Sequence, residues 1–471
     1  MGVLKIGKIT IRIARNNMDK TKIMGTEKIG KLLFKFSLPA ITGMLVNALY
    51  NIVDRIYIGH IKNVGPYALS GLAITFPIST IIMAFGMLIG LGATAVISIK
   101  LGEKNKESAE KILGNAVMLN AVLSVIVSIV GLLFIDKLLL LFGASENSLI
   151  YAKEYITIIL FGVIFQNIGF GTNNIIRAEG NPKMAMLTMV FGAIINIILD
   201  PIFIFTFNMG IQGAAIATVI AQAFNTFWVL HYFCSKKSGS ILKLKRKNMK
   251  VSLEVTKDIF SIGMSPFAMQ VAASIVVLLY NRGLKTYGGD LAIAALGIIN
   301  SISMLIFMPI FGINQGSQPI IGFNYGAKSY HRVKETLKIA ILAATTICLI
   351  GYIGIQIFPE FLMKAFVGNN IDLIKLGAHG IRIDLIFLPI IGFQIVGTNY
   401  FQAIREAKIS MLLSILRQVV ILIPFILLFP KIKGLDGLWA SQPAADIISS
   451  VLTAVFLIRS IKGLDQKSEL S

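Results

Sequence analysis

Charge is what this chain lacks most. Asp, Glu, Lys and Arg together make up 14% of its 471 residues, where a soluble globular domain carries about a quarter. Hydrophobic residues reach 55% and the mean hydropathy is +0.79. A soluble fold is excluded, and an all-α polytopic membrane protein is expected. Cysteine is nearly absent. Cys234 and Cys348 lie in or at the edge of apolar runs without metal-ligand spacing, which excludes a disulfide framework and a zinc site. The four histidines, His60, His231, His331 and His379, stand at helix ends or in loops with no metal-binding pattern. Acids number 23 against 44 Lys and Arg, yet the basic residues gather in short connections between apolar runs. They therefore read as membrane orientation signals and lipid-head contacts, and nucleic acid is not expected as a partner. The first 30 residues hold many Lys and Arg but no apolar core followed by a cleavage site, so they are no cleavable signal peptide. No phosphate-binding loop and no nucleophile with its base can be found. Neither ATP-driven transport, nor an enzyme, nor a cofactor is expected.

What the chain does have is apolar length. Windows long enough to span a bilayer, about 20 residues, occur at 32–58, 66–99, 112–135, 149–178, 182–207 and 211–234, and again at 253–283, 290–325, 332–357, 373–404, 407–429 and 434–460. The expected organisation is a basic cytoplasmic arm (1–31), a six-helix lobe (32–234), a basic linker (235–252), a second six-helix lobe (253–462) and a tail (463–471). Connections after the even-numbered helices carry Lys100, Arg177, Lys183, the run in 235–252, Arg332, Arg405 and Lys408. The positive-inside rule then puts both termini in the cytoplasm of a cell-membrane protein.

The halves repeat. Gly171-Thr172-Asn173 returns as Gly397-Thr398-Asn399, Gly210 and Gly213 as Gly434 and Gly437, Leu101-Gly102-Glu103-Lys104 as Tyr325-Gly326-Ala327-Lys328, and Pro39 as Pro266, at offsets of 224 to 227. An offset spanning six helices relates the halves by an axis along the membrane normal, and substrate belongs in the cleft between them.

No Glu lies well inside an apolar window, which leaves Asp54, Asp200, Asp446 and Asp384 as acids at depth. An ionised Asp at a helix centre is unfavourable by roughly 2.5–3.5 kcal/mol and by default marks function. Asn47, Tyr50 and Asp54 share one helix face at i, i+3 and i+7, while Arg55 points elsewhere. Asp200 follows Asn196 by one turn and precedes Pro201, which removes a backbone donor. Small residues from Gly213 to Ala217 permit close helix approach before the Thr218 hydroxyl. Asp54, Asn196, Asp200 and Thr218 offer hard oxygen donors, and two close carboxylates need a proton or a small hard cation such as Na⁺ between them. Arg417 and Asp446, both mid-span on consecutive helices, read most simply as an ion pair.

At these residues the chain resembles the MATE (multidrug and toxic compound extrusion) transporters, in the bacterial and archaeal branch that includes the MepA-like efflux pumps. The matching pieces are Tyr50 to Asp54 with Gly59, Asn196 to Pro201, Gly213 to Thr218, and Gly326-Ala327. The resemblance implies two pseudo-symmetric six-helix bundles, an N-lobe cation site at Asp54, Asn196, Asp200 and Thr218, and a cavity near Asn47, Tyr50 and Asn173. Relatives that carry a Glu in helix 7 find Gln270 at that level here, and Asn399 and Gln402 face the cavity from the second half. The expected function is export of organic cations and amphipathic drugs in antiport with H⁺ or Na⁺, by a protein acting as a monomer among membrane lipids. The alternative is a flippase for a lipid-linked oligosaccharide, which a ring of basic cavity residues would favour. Only Arg417 and Arg382 lie at depth to supply one.

Overall fold

In a bilayer core every backbone N–H and C=O must be satisfied within its own segment, so each apolar window becomes a helix. The computed structural model describes residues 23–61, 64–367 and 370–469. Most of the expected 1–31 arm lies outside the described residues. The first lobe contains α1 Ile29–Gly59, α2 Gly65–Gly102, α3 Lys106–Leu133, α4 Glu146–Ala178, α5 Pro182–Pro201 and α6 Gly210–Cys234. In the second, the helical trace Leu253–Gly326 breaks at Gly289, where φ is 65°, into α7 Leu253–Gly289 and α8 Leu291–Gly326. After α9 Tyr330–Ile357, α10 is a bent pair, Ile371–Asp384 and Leu388–Ala403, with 51° between its arms. The final run Ala407–Lys467 has 61 residues, or about 90 Å of helix at 1.5 Å per residue, three times a bilayer core. It turns back at Lys433 and Gly434, which leave helical geometry, into α11 (407–432) and α12 (435–469). Twelve spans result among the described residues, as expected. The tail from 463 is not separate: it continues α12 through Glu469 and is held where Lys334 pairs with Asp465.

The sequence repeat is also a repeat of helix endings. Asn105 N–H bonds Lys100 O at 2.9 Å and Lys104 N–H bonds Leu101 O at 3.1 Å, and after α8 Ser329 and Lys328 do the same to Asn324 and Tyr325. This double closure requires a left-handed residue, usually Gly. Here Lys104 and Lys328 take it, with φ of 59° and 58°.

Within each lobe the helices pack on their sequence neighbours and their neighbours' partners: α2 on α4, α4 on α6, α1 on α5, and α9 on α10. The lobes meet along a seam of α1 and α2 against α7 and α8, through small residues. A Cβ on Gly263 would lie 1.7 Å from Leu88 O, one on Gly102 2.0 Å from Phe323 O, and one on Gly326 2.1 Å from Ile99 O. Only glycine allows backbones this close. These contacts lie where α1 and α7 begin and α2 and α8 finish. At that end the lobes are shut.

The 235–252 connection is not the loose tether that its polarity suggests. Glu179, fully buried after α4, accepts from Tyr232 Oη, from Ser240 Oγ at 2.8 Å, and from the N–H groups of Ile241 at 3.0 Å and Leu242 at 3.2 Å. Glu110 of α3 receives Lys243 N–H at 3.2 Å and pairs with Lys245. That bond holds the Lys245 ammonium above its ordinary pKa. Asn115 Oδ1 accepts the Ser252 N–H at 2.7 Å, where α7 begins. The strap lies docked on the first lobe because buried carboxylates need donors, and its backbone supplies them.

Candidate functional site

Asp54 lies in the last two turns of α1 and is 6% exposed, whereas Arg55 beside it faces outward. Successive helix residues differ by about 100° in direction, so adjacency in sequence separates the two charges. Asp200 is the penultimate residue of α5 and is fully buried. Pro201 cannot continue the hydrogen-bond ladder, and the chain widens into a π turn over Ile202–Thr206. Such turns are frequent at functional sites. The π turn rests on α6 at Gly213, where a Cβ would come within 2.7 Å of the Phe203 carbonyl carbon. That close approach carries Thr218 towards the end of α5.

The polar groups converge here. Asn196 Nδ2 donates to Asp200 Oδ1 at 3.1 Å and reaches Thr218 Oγ1 at 3.4 Å. Asp54 Oδ1, Asn196 Oδ1 and Asp200 Oδ2 are all buried without a hydrogen-bond partner among the described residues. Three unpartnered oxygens around two carboxylates form a donor set that fits a proton or a hard monovalent cation, since buried polar atoms are otherwise nearly always satisfied. Tyr50 and Tyr155 both stand in the field of Asp54 and Asp200, and Tyr155 approaches Thr218 from α4. Tyr155 is the residue sequence reasoning missed. Nothing in the sequence around it, where Lys153 and Glu154 precede it, marks it, because its role depends on how α4 packs against α6.

The other expected residues divide. Asn47, one turn below Asn51, is exposed, and its carbonyl and Oδ1 accept from Asn51 Nδ2 at 2.7 and 3.2 Å. Asn173 is not with the carboxylates. It is buried between α4 and α5, donating to Ala185 O at 2.8 Å and Thr188 Oγ1 at 2.7 Å. Gln270 is half-buried on α7, and Asn399 reaches Asn314 O of α8 at 3.4 Å. Gln402 is buried with its Nε2 unpartnered.

In the second lobe Arg417 and Asp446 are the pair expected: Nε and Nη2 lie 2.9 and 2.8 Å from Oδ1. Arg417 sits in a second π turn, Leu416–Leu422. Beside the pair, Tyr280 Oη donates to Leu438 O at 2.8 Å and lies 3.3 Å from Oδ1 of Asp384, the last residue before the α10 bend. Tyr280 was also missed: at the offset of 227 that carries Pro39 to Pro266 on the same two helices, the position of Asp54 falls to its neighbour Asn281.

With this geometry in view, the likenesses are informative. The MatE family model matches residues 39–202 and 262–428, more than half of the chain. The multidrug export protein MepA of Staphylococcus haemolyticus is 28% identical over 434 residues, covering 92% of this chain and 94% of that protein. Among solved structures, a ligand complex of the MATE multidrug transporter DinF-BH is 40% identical with a TM-score of 0.86, over 92% of this chain and 96% of that one. A multidrug resistance MATE transporter of the MOP superfamily in an outward-facing conformation superposes with a TM-score of 0.88 at 26% identity, over 94% of this chain and 98% of that one.

Proposed function

The chain belongs to the MATE family of multidrug export transporters, and from that premise we propose that it exports organic cations and amphipathic drugs in exchange for inward H⁺ or Na⁺. The observation that carries this reading is the set of three unpartnered buried oxygens, Asp54 Oδ1, Asn196 Oδ1 and Asp200 Oδ2. Asp54 and Asp200 take up the coupling ion, Asn196 orients Asp200, and Thr218 adds a neutral oxygen. Loaded with H⁺ or Na⁺, the pair is neutralised. Emptied, it regains negative charge that attracts a cationic drug near Asn47 and Tyr50. Gln270, Asn399 and Gln402 provide uncharged hydrogen-bonding groups on the opposite wall.

The Lys- and Arg-rich connections orient both termini to the cytoplasm of a cell membrane. On that orientation the glycine seam closes the cytoplasmic end, and drug and ion exchange at the outer face. One chain contains both lobes and the complete donor set, so a monomer suffices. The deciding experiment is uptake of a fluorescent organic cation into proteoliposomes under an imposed H⁺ or Na⁺ gradient. Uptake that follows one gradient identifies the ion, and uptake indifferent to both rejects the reading.

A further inference from the structure

The first lobe holds another buried charge, one that the carboxylate site does not use. Arg177, in the last turn of α4, is 3% exposed. Its Nη1 donates to Asn174 Oδ1 at 2.7 Å and its Nη2 lies 3.2 Å from Met189 Sδ, while its buried Nε has no partner. All these neighbours are neutral, and no carboxylate among the described residues pairs with it. A guanidinium stays charged in any protein environment. An unneutralised charge inside a helix bundle is costly, and where one persists it marks function.

Its position is informative. Met189 lies against α1, with its Sδ 3.1 Å from where a Cβ on Gly43 would stand. Gly43 precedes Asp54 on α1 by eleven residues, as Met189 precedes Asp200 on α5. Eleven residues of helix rise about 16 Å, so the guanidinium lies one level beneath both carboxylates, towards the end where the lobes are shut. The fold does not demand this charge. In the second half the matching helix ending, where Arg405 N–H bonds Gln402 O as Gly180 N–H bonds Arg177 O, puts the uncharged Gln402 in the place of Arg177.

We propose that Arg177 is a fixed electrostatic plug: its charge repels a cation that has reached Asp54 and Asp200, so the ion cannot cross the first lobe without the lobes rearranging. The same logic excludes cations from channels guarded by a buried Arg. The inference rests on reading Asp54 and Asp200 as the coupling site.

The test is drug-free ion flux into proteoliposomes of the full-length protein, followed with an entrapped pH or Na⁺ dye under an imposed gradient and a valinomycin-set potential. Arg177→Met should raise this flux at least five-fold, Arg177→Lys should keep it low, and adding Asp54→Asn to Arg177→Met should return it to the wild-type level. Met189→Glu, which sets a carboxylate beside Nη2 and cancels the charge, should leak likewise, while Met189→Leu should not. If Arg177→Met does not assemble, Met189→Glu decides. Wild-type flux in the leak variants, or a leak that survives Asp54→Asn, overturns the plug. Failure of the coupling-site reading is seen separately, as gradient-driven drug uptake that persists in Asp54→Asn with Arg177 intact.

Discussion

Asn196 holds Asp200 by one oxygen only: its Nδ2 donates to Oδ1 at 3.1 Å, and Oδ2 stays buried and unpartnered. Asp54→Asn or Asp200→Asn keeps the side-chain shape but removes the charge. Gradient-driven uptake of a fluorescent cation should fall to background in both, with yield and gel-filtration profile unchanged. Asn196→Ala removes the orienting bond alone. A hydrogen bond to a charged group contributes about 1.5–3 kcal/mol, so uptake should drop roughly ten-fold or more. Full uptake in either Asp variant would sink the assignment.

Ion and drug draw on the same negative charge, so whatever stabilises the ion-loaded state weakens a cationic drug by the same coupling free energy. Protonation removes the charge as pH falls. Affinity of the purified protein for tetraphenylphosphonium should therefore decrease as pH drops or as Na⁺ rises, and Asp54→Asn should flatten both dependences. The probe cannot titrate, so a wild-type affinity that ignores both variables would refute competition.

Arg417 neutralises Asp446, whose side chain is only 2% exposed. Breaking a buried pair from one side costs about 3–5 kcal/mol, because the charge left behind is uncompensated. Arg417→Met should lower the apparent melting temperature in detergent by several degrees, and Asp446→Asn added to it should recover most of the loss. Equal melting of single and double variants would show that the pair does not stabilise the lobe.

Gly263→Ala places a Cβ 1.7 Å from the Leu88 carbonyl oxygen, and backbone cannot yield as a flexible side chain can. The shut end should be wedged open and transport lost in an assembled protein. Labelling of a single cysteine introduced at Phe85, which faces Phe267 across the seam with ring centroids 5.0 Å apart, should speed up in this variant. Unchanged labelling would mean that the lobes tolerate the added methyl.

Glu179 gathers three donors from the 235–252 strap: Ser240 Oγ and the Ile241 and Leu242 N–H groups. Glu179→Ala should release the strap and make its lysines, Lys243 and Lys245 among them, sites of rapid trypsin cleavage under conditions where wild-type protein is cut slowly. Comparable cleavage of the two would place the strap's anchorage elsewhere, at Glu110 and Asn115.

Composition and hydropathy determined a good deal by themselves. Segments of about 20 apolar residues have one stable form in lipid, so the twelve windows became helices, though α3 starts six residues earlier, α7 ends six later and α12 ends nine later than its window. Asp54 and Asp200 stood out for the same reason, since a carboxylate in such a segment is costly wherever the helix packs. The Arg417 and Asp446 pair followed from opposite charges at equal depth on consecutive helices. Side chains of ordinary cost in lipid left no such trace. Tyr155 and Tyr280 were not singled out at all, and Asn173 read as a cavity residue until its amide was found between Ala185 and Thr188. The 235–252 connection read only as a basic linker, because its lysines are what stand out in it. Only the tertiary structure decided these, because they depend on which helix faces meet. Two of the four donors to Glu179 are backbone N–H groups, which every residue but proline carries, and so no residue type could announce them.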